Sequence, residues 1–107
     1  MSNEQLSGPP IISNLGDDED FVELVEMFVS ELPDRVNSMR KAIEENDLDA
    51  LRRFAHQLKG AAGGYGFPTI TDNARVVEQS SEAAEDLASV RQQVEELADM
   101  CQRARAK

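Results

Sequence analysis

A chain of 107 residues, 40% of them hydrophobic, is long enough for one domain around one core. With 21 acidic against 11 basic side chains it carries a formal net charge of −10, which argues against DNA, RNA or an anionic membrane as partners. A lone cysteine, Cys101, excludes an internal disulfide. With no signal peptide and no apolar run of about 18 residues, a soluble, cytoplasmic protein is expected.

Residues 1–16 read as an N-terminal lead, partly flexible. Pro9 and Pro10 break any helix there, although Ile11, Ile12 and Leu15 are suited to folding over one end of a helical domain. Met1 to Ser7 read as a loose tail. The first long helix is predicted from Asp18 to about Glu45, with Asp17 as its cap. Its apolar stripe is Phe21, Val25, Phe28, Leu32, Val36, Met39 and Ile43. The spacing stays in phase across Pro33, so one kinked helix is expected rather than two. Asn46-Asp47 ends it, and Asp47 caps the next.

The second helix is predicted from Leu48 to about Tyr65, with Gly66 as the left-handed residue after its end. Pro68 suits the first turn of a third helix, whose stripe is Ile70, Ala74, Val77 and Ser81. Ser80 or Ser81 then caps a fourth, carrying Leu87, Val90, Val94, Leu97, Cys101 and Ala104 at alternating spacings of three and four. No β-branched alternating run appears. Short connections make neighbouring helices antiparallel, so residues 17–107 are expected to form an all-α, up-down-up-down four-helix bundle behind a short N-terminal extension.

The second helix holds the only histidine, His56, inside the longest stretch free of acidic residues, Ala50 to Thr71. A helix turns about 100° per residue. With His56 at zero, Arg52, Arg53, Lys59, Gly60, Gly63 and Phe67 fall within roughly 60° of it. Leu51, Ala55, Leu58, Ala62 and Tyr65 form a core stripe on the far side. His56 is therefore expected in water, flanked by cations, on a surface that glycines leave bare. An imidazole titrates near neutrality and is nucleophilic when neutral. A nucleophile, a cation and an approachable surface suit phosphoryl acceptance from a protein partner, since that chemistry is mostly positioning and charge stabilisation.

The stretch resembles the histidine-containing phosphotransfer (HPt) domains of two-component phosphorelays. Their motif reads His-x-Leu-Lys-Gly and then a small residue, with a glycine ten positions after the histidine. His56, Leu58, Lys59, Gly60, Ala61 and Gly66 meet it. The resemblance covers Asp17 to the C-terminus, and the expected bundle is also the HPt fold. It implies that His56 takes a phosphoryl group on Nε2 from a receiver-domain aspartate and passes it to another receiver. Lys59 would stabilise the phosphate. Arg52, Arg53 and Gln57 would meet the partner, which would dock over Gly60, Gly63 and Gly64, with Phe67 at the apolar end of the patch. The receiver brings its own aspartates, lysine and magnesium. The chain is thus expected to act as a monomeric phosphocarrier, not an enzyme by itself, with no cofactor and no metal.

Other readings find less in the residues. A di-iron bundle needs Glu-x-x-His pairs, and Arg53 stands three before the single histidine. A phosphate-binding loop needs Gly-Lys-Ser/Thr after a strand, whereas Lys59 precedes Gly60. A non-catalytic helical adaptor and the phosphotransfer segment of a larger histidine kinase remain as alternatives.

Overall fold

The computed structural model describes residues 8–83 and 86–107. Four helices run through them: α1 (Val22–Glu44), α2 (Leu48–Gly64), α3 (Pro68–Glu82) and α4 (Leu87–Arg103). Each packs on its neighbour in sequence, and α4 returns to α1, so the four close around one core as a four-helix bundle. Val25, Leu32, Met39, Leu51, Leu58, Ile70, Val77, Val90, Val94 and Leu97 are the fully buried large aliphatic side chains of the core, all on the expected stripes.

The turns between helices are built by backbone geometry. At the end of α1 the Asp47 amide donates to the Ala42 carbonyl (2.8 Å) and the Asn46 amide to Ile43 (2.9 Å), with Asn46 at φ 55°. At the end of α2 the Phe67 amide donates to Ala62 (2.9 Å) and the Gly66 amide to Gly63 (3.4 Å), with Gly66 at φ 86°. Both are Schellman endings: a left-handed residue turns the chain back so that orphan carbonyls of the last turn are satisfied. Asp47 then caps α2, its carboxylate accepting from the Ala50 amide at 3.0 Å. Pro68 opens α3, where its missing N–H costs nothing.

Several boundaries differ from the expectation. The regular part of α1 begins at Val22, and its preceding turn is organised by Asp18 rather than Asp17. The Asp18 carboxylate accepts from the Asp20 amide (2.8 Å) and its carbonyl from Phe21 and Val22 (both 2.9 Å). Asp side chains hold such local turns in competition with the helix. Pro33, by contrast, lies inside one helix, as its in-phase stripe led us to expect. Ser80 and Ser81 do not cap α4. Both are buried inside α3, where the Ser81 hydroxyl donates to the Val77 carbonyl at 2.7 Å and needs no other partner. The cap of α4 is Asp86, which accepts from the Ser89 amide at 3.3 Å.

Two strands of two residues each, β1 (Ile11–Ile12) and β2 (Ala104–Arg105), pair in parallel, Ile11 with Ala104 and Ile12 with Arg105. They are too short to show a period of two, so no sequence pattern announces them. Residues 8–16 lie along the end of the bundle. The Ser13 hydroxyl donates to the Tyr65 carbonyl (2.6 Å) and the Asn14 amide to the Gly66 carbonyl (2.8 Å). Ile11 and Leu15 pack on the core. The expected loose tail, Met1 to Ser7, lies outside the described residues.

Candidate functional site

α2 is amphipathic enough to sort its residues cleanly. Leu51, Ala55, Leu58 and Ala62 are fully buried, and His56, a quarter-turn or more away, has a side chain 62% exposed. The α2–α3 hairpin supplies its partner. Glu78 of α3 places Oε2 2.8 Å from His56 Nδ1, and its Oε1 2.7 Å from Lys59 Nζ. One carboxylate therefore bridges the two motif residues. Glu78 is only 16% exposed at this seam. The Lys59 ammonium, chiefly, holds the Glu78 carboxyl below the ordinary carboxylate range. Partial burial works against that, and His56 adds to the lowering.

The bridge has a chemical consequence. An ionised carboxylate only accepts, so Nδ1 must carry the hydrogen. In the neutral ring Nε2 then holds the lone pair. Among the described residues Nε2 has no partner, so the nucleophilic edge faces water while the other edge is anchored. A second tie fixes the seam: the Thr71 hydroxyl of α3 donates to the Lys59 carbonyl at 3.0 Å.

The glycines differ among themselves. A Cβ at Gly60 or Gly64 would meet nothing within 4 Å, whereas one at Gly63 would touch Thr71 Oγ1 at 3.4 Å. Gly60 and Gly64 leave open surface beside His56, and Gly63 lies against α3. Arg52 and Arg53 both turn to Asp49, at 3.1 and 3.8 Å, in exposed pairs that contribute little and break easily. Gln57 points toward α1, into a shallow groove with Asp34, Arg35, Ser38 and Phe54.

Phe67 requires a correction. Its helical angle puts it beside His56, but the helix has already ended, and the Schellman turn carries Phe67 inward. It is fully buried, its ring centroid 5.9 Å from Phe28, which also stacks on Tyr65 at 4.8 Å. Phe67 is a core residue and has no exposed face to offer a partner. Lys59, expected to be free for phosphate, is held by Glu78 in this state of the protein.

A family model, the Hpt domain, matches residues 23–107. The chain belongs to the Hpt-domain family. No curated protein and no solved structure matches it. Hpt domains are phosphocarriers of phosphorelays that interact with receiver domains, and this chain is a histidine phosphotransfer module of that kind. No helix among the described residues is long and apolar enough to cross a membrane.

Glu78 is the site residue that the sequence reading missed. It stands 22 positions from His56 on another helix. In a chain with 21 acids, nothing in its local pattern marks it.

Proposed function

We propose that His56 is the phosphoacceptor of this Hpt domain, and that the protein is a cytoplasmic, monomeric carrier passing a phosphoryl group between receiver domains. The observation that carries this reading is the His56–Glu78 pair, which anchors Nδ1 and leaves Nε2 exposed. In the forward step the Nε2 lone pair attacks the phosphorus of an aspartyl phosphate in line. The N–P bond forms as the P–O bond to the aspartate breaks, and the electron pair leaves with that carboxylate. The hydrogen on Nδ1 stays in place. The ring becomes cationic and Glu78 faces the positive charge, so the same contact orients the nucleophile and stabilises the product. Return of the phosphoryl group to another aspartate reverses these steps. The protein needs no activity beyond this exchange, which makes it a carrier rather than an enzyme.

Gly60 and Gly64 provide the flat approach, and Arg52 and Arg53 flank it as cations for an acidic partner surface. The test is incubation with a phosphorylated receiver domain. The wild type should acquire acid-labile phosphate and His56→Gln, with the bundle intact by circular dichroism, should acquire none. Undiminished labelling of His56→Gln would overturn the assignment.

A further inference from the structure

Lys59 is the cation that the motif sets beside the phosphoacceptor, yet its ammonium is held 2.7 Å from Glu78, and its side chain is only 27% exposed. Its charge is spent on the Nδ1 side of the ring, while the phosphoryl group would arrive at Nε2. The opposite flank of the seam offers another cation. On α3, with Glu78 at zero, Thr71 lies about 20° and Arg75 about 60° round the axis, while buried Val77 lies about 100° the other way. Thr71 and Glu78 both touch α2, at the Lys59 carbonyl and at His56 with Lys59. Arg75 sits between them along α3 and slightly outward, so it rises from the seam onto the surface that carries His56. It is 48% exposed, and it pairs with Asp72, one turn back and 71% exposed, at 3.0 Å. Such a solvated pair is exchanged at little cost. Across the seam Gly60 presents no side chain, and nothing fills the space a Cβ would take.

We propose that Arg75 is the residue that grips the phosphoryl group on His56, leaving Asp72 and reaching over the bare Gly60 to the phosphoryl oxygens. This rests on His56 being the phosphoacceptor. Guanidinium suits that role, because its planar fork offers paired N–H donors to a phosphoryl group and it stays charged at every working pH. The division of labour is then clear. Glu78 anchors the ring, Lys59 holds Glu78 ionised, and Arg75 takes the charge that arrives.

The test needs no protein partner for its decisive half. Wild type, Arg75→Ala, Arg75→Lys and a control on the far helix, Arg91→Ala, are phosphorylated with phosphoramidate and followed by phosphorus NMR across pH. Transfer to a receiver domain is then timed. If Arg75 touches the phosphoryl oxygens, Arg75→Ala moves the phosphoryl titration to higher pH and slows transfer by about tenfold, the effect of a charged hydrogen bond. Arg75→Lys recovers part of both, and Arg91→Ala changes neither. Slow transfer with an unmoved titration would make Arg75 a partner contact and overturn the proposal. So would wild-type behaviour of Arg75→Ala in both measurements. A wild type that takes no phosphate on His56 would remove the underlying reading as well, and so is distinguishable from failure of Arg75 alone.

Discussion

Replacing Glu78 by glutamine keeps the side chain's shape and removes the charge that Lys59 and His56 share. Because the folded carboxyl is held below its ordinary range, its contribution to stability is complete at neutral pH. It is lost as pH falls through the lowered folded value. The melting temperature of Glu78→Gln should therefore lie below wild type at pH 7, and the gap should close toward acid. Melts at several pH values check this; a gap that widened with acid would reverse the sign. Phosphotransfer by the same variant should fall, since a glutamine oxygen still accepts from Nδ1 but carries no charge to offset the cationic ring. Cys101 offers a second test at this scale. Burial pushes its thiol up to about 12, so it is neutral and shielded in the folded protein. A thiol reagent should label it only as fast as the bundle opens, and at once in denaturant. Rapid labelling of the native protein would contradict its place in the core.

Among the helices, α2 is the one in which function and stability pull apart. Gly60 sits within a helix with open space around it, so a side chain there raises helix propensity by several tenths of a kcal/mol. Gly60→Gln should be at least as stable as wild type and yet transfer phosphate poorly, because its side chain stands where a partner must approach. Thermal melts beside transfer rates separate the two effects; wild-type transfer would show that the partner docks elsewhere. Gly66, only six residues on, behaves oppositely. Its φ is +86°, and a Cβ would lie 2.6 Å from Ser13 Oγ and 2.9 Å from the Asn14 amide nitrogen. Gly66→Ala should cost about 2 kcal/mol or more, from the left-handed conformation together with displacement of the segment packed on it. A denaturant titration gives the value, and a neutral result would mean that the turn relaxes freely.

Across the whole molecule, residues 8–16 tie the end of α2 to the C-terminus. The Ser13 hydroxyl holds Tyr65, its amide donates to the Arg105 carbonyl at 3.0 Å, and β1 pairs with β2. This segment precedes the residues matched by the family model, which begin at 23. Removing residues 1–16 should lower the melting temperature by about 5 °C or more, as loss of a kcal/mol does in a domain this size. An unchanged melt would mean that the strap adds nothing to the bundle. Elsewhere the bundle is braced by Arg40 of α1, which meets Glu95 of α4 with two hydrogen bonds of 2.9 and 2.7 Å.

The four helices, the cap at Asp47, Pro68 at the start of α3, the left-handed Gly66 and the exposure of His56 were all legible in the residues. Each follows from periodicity or from the conformational limits of one residue, which are local. The α1 start and the α4 cap were misplaced by local competition. Asp18 holds its own turn, and Ser81 satisfies itself on Val77, where a free serine was expected to cap. Phe67 was misplaced because a helical angle has no meaning past the Schellman turn. Glu78 and the β1–β2 pairing were not legible at all. They depend on which residues two helices or two chain ends bring together, and that is decided by turn geometry and packing. The local pattern determined that His56 would face water on a bare surface. Only the tertiary structure decided which carboxylate would hold it, because the partner arrives from a different helix.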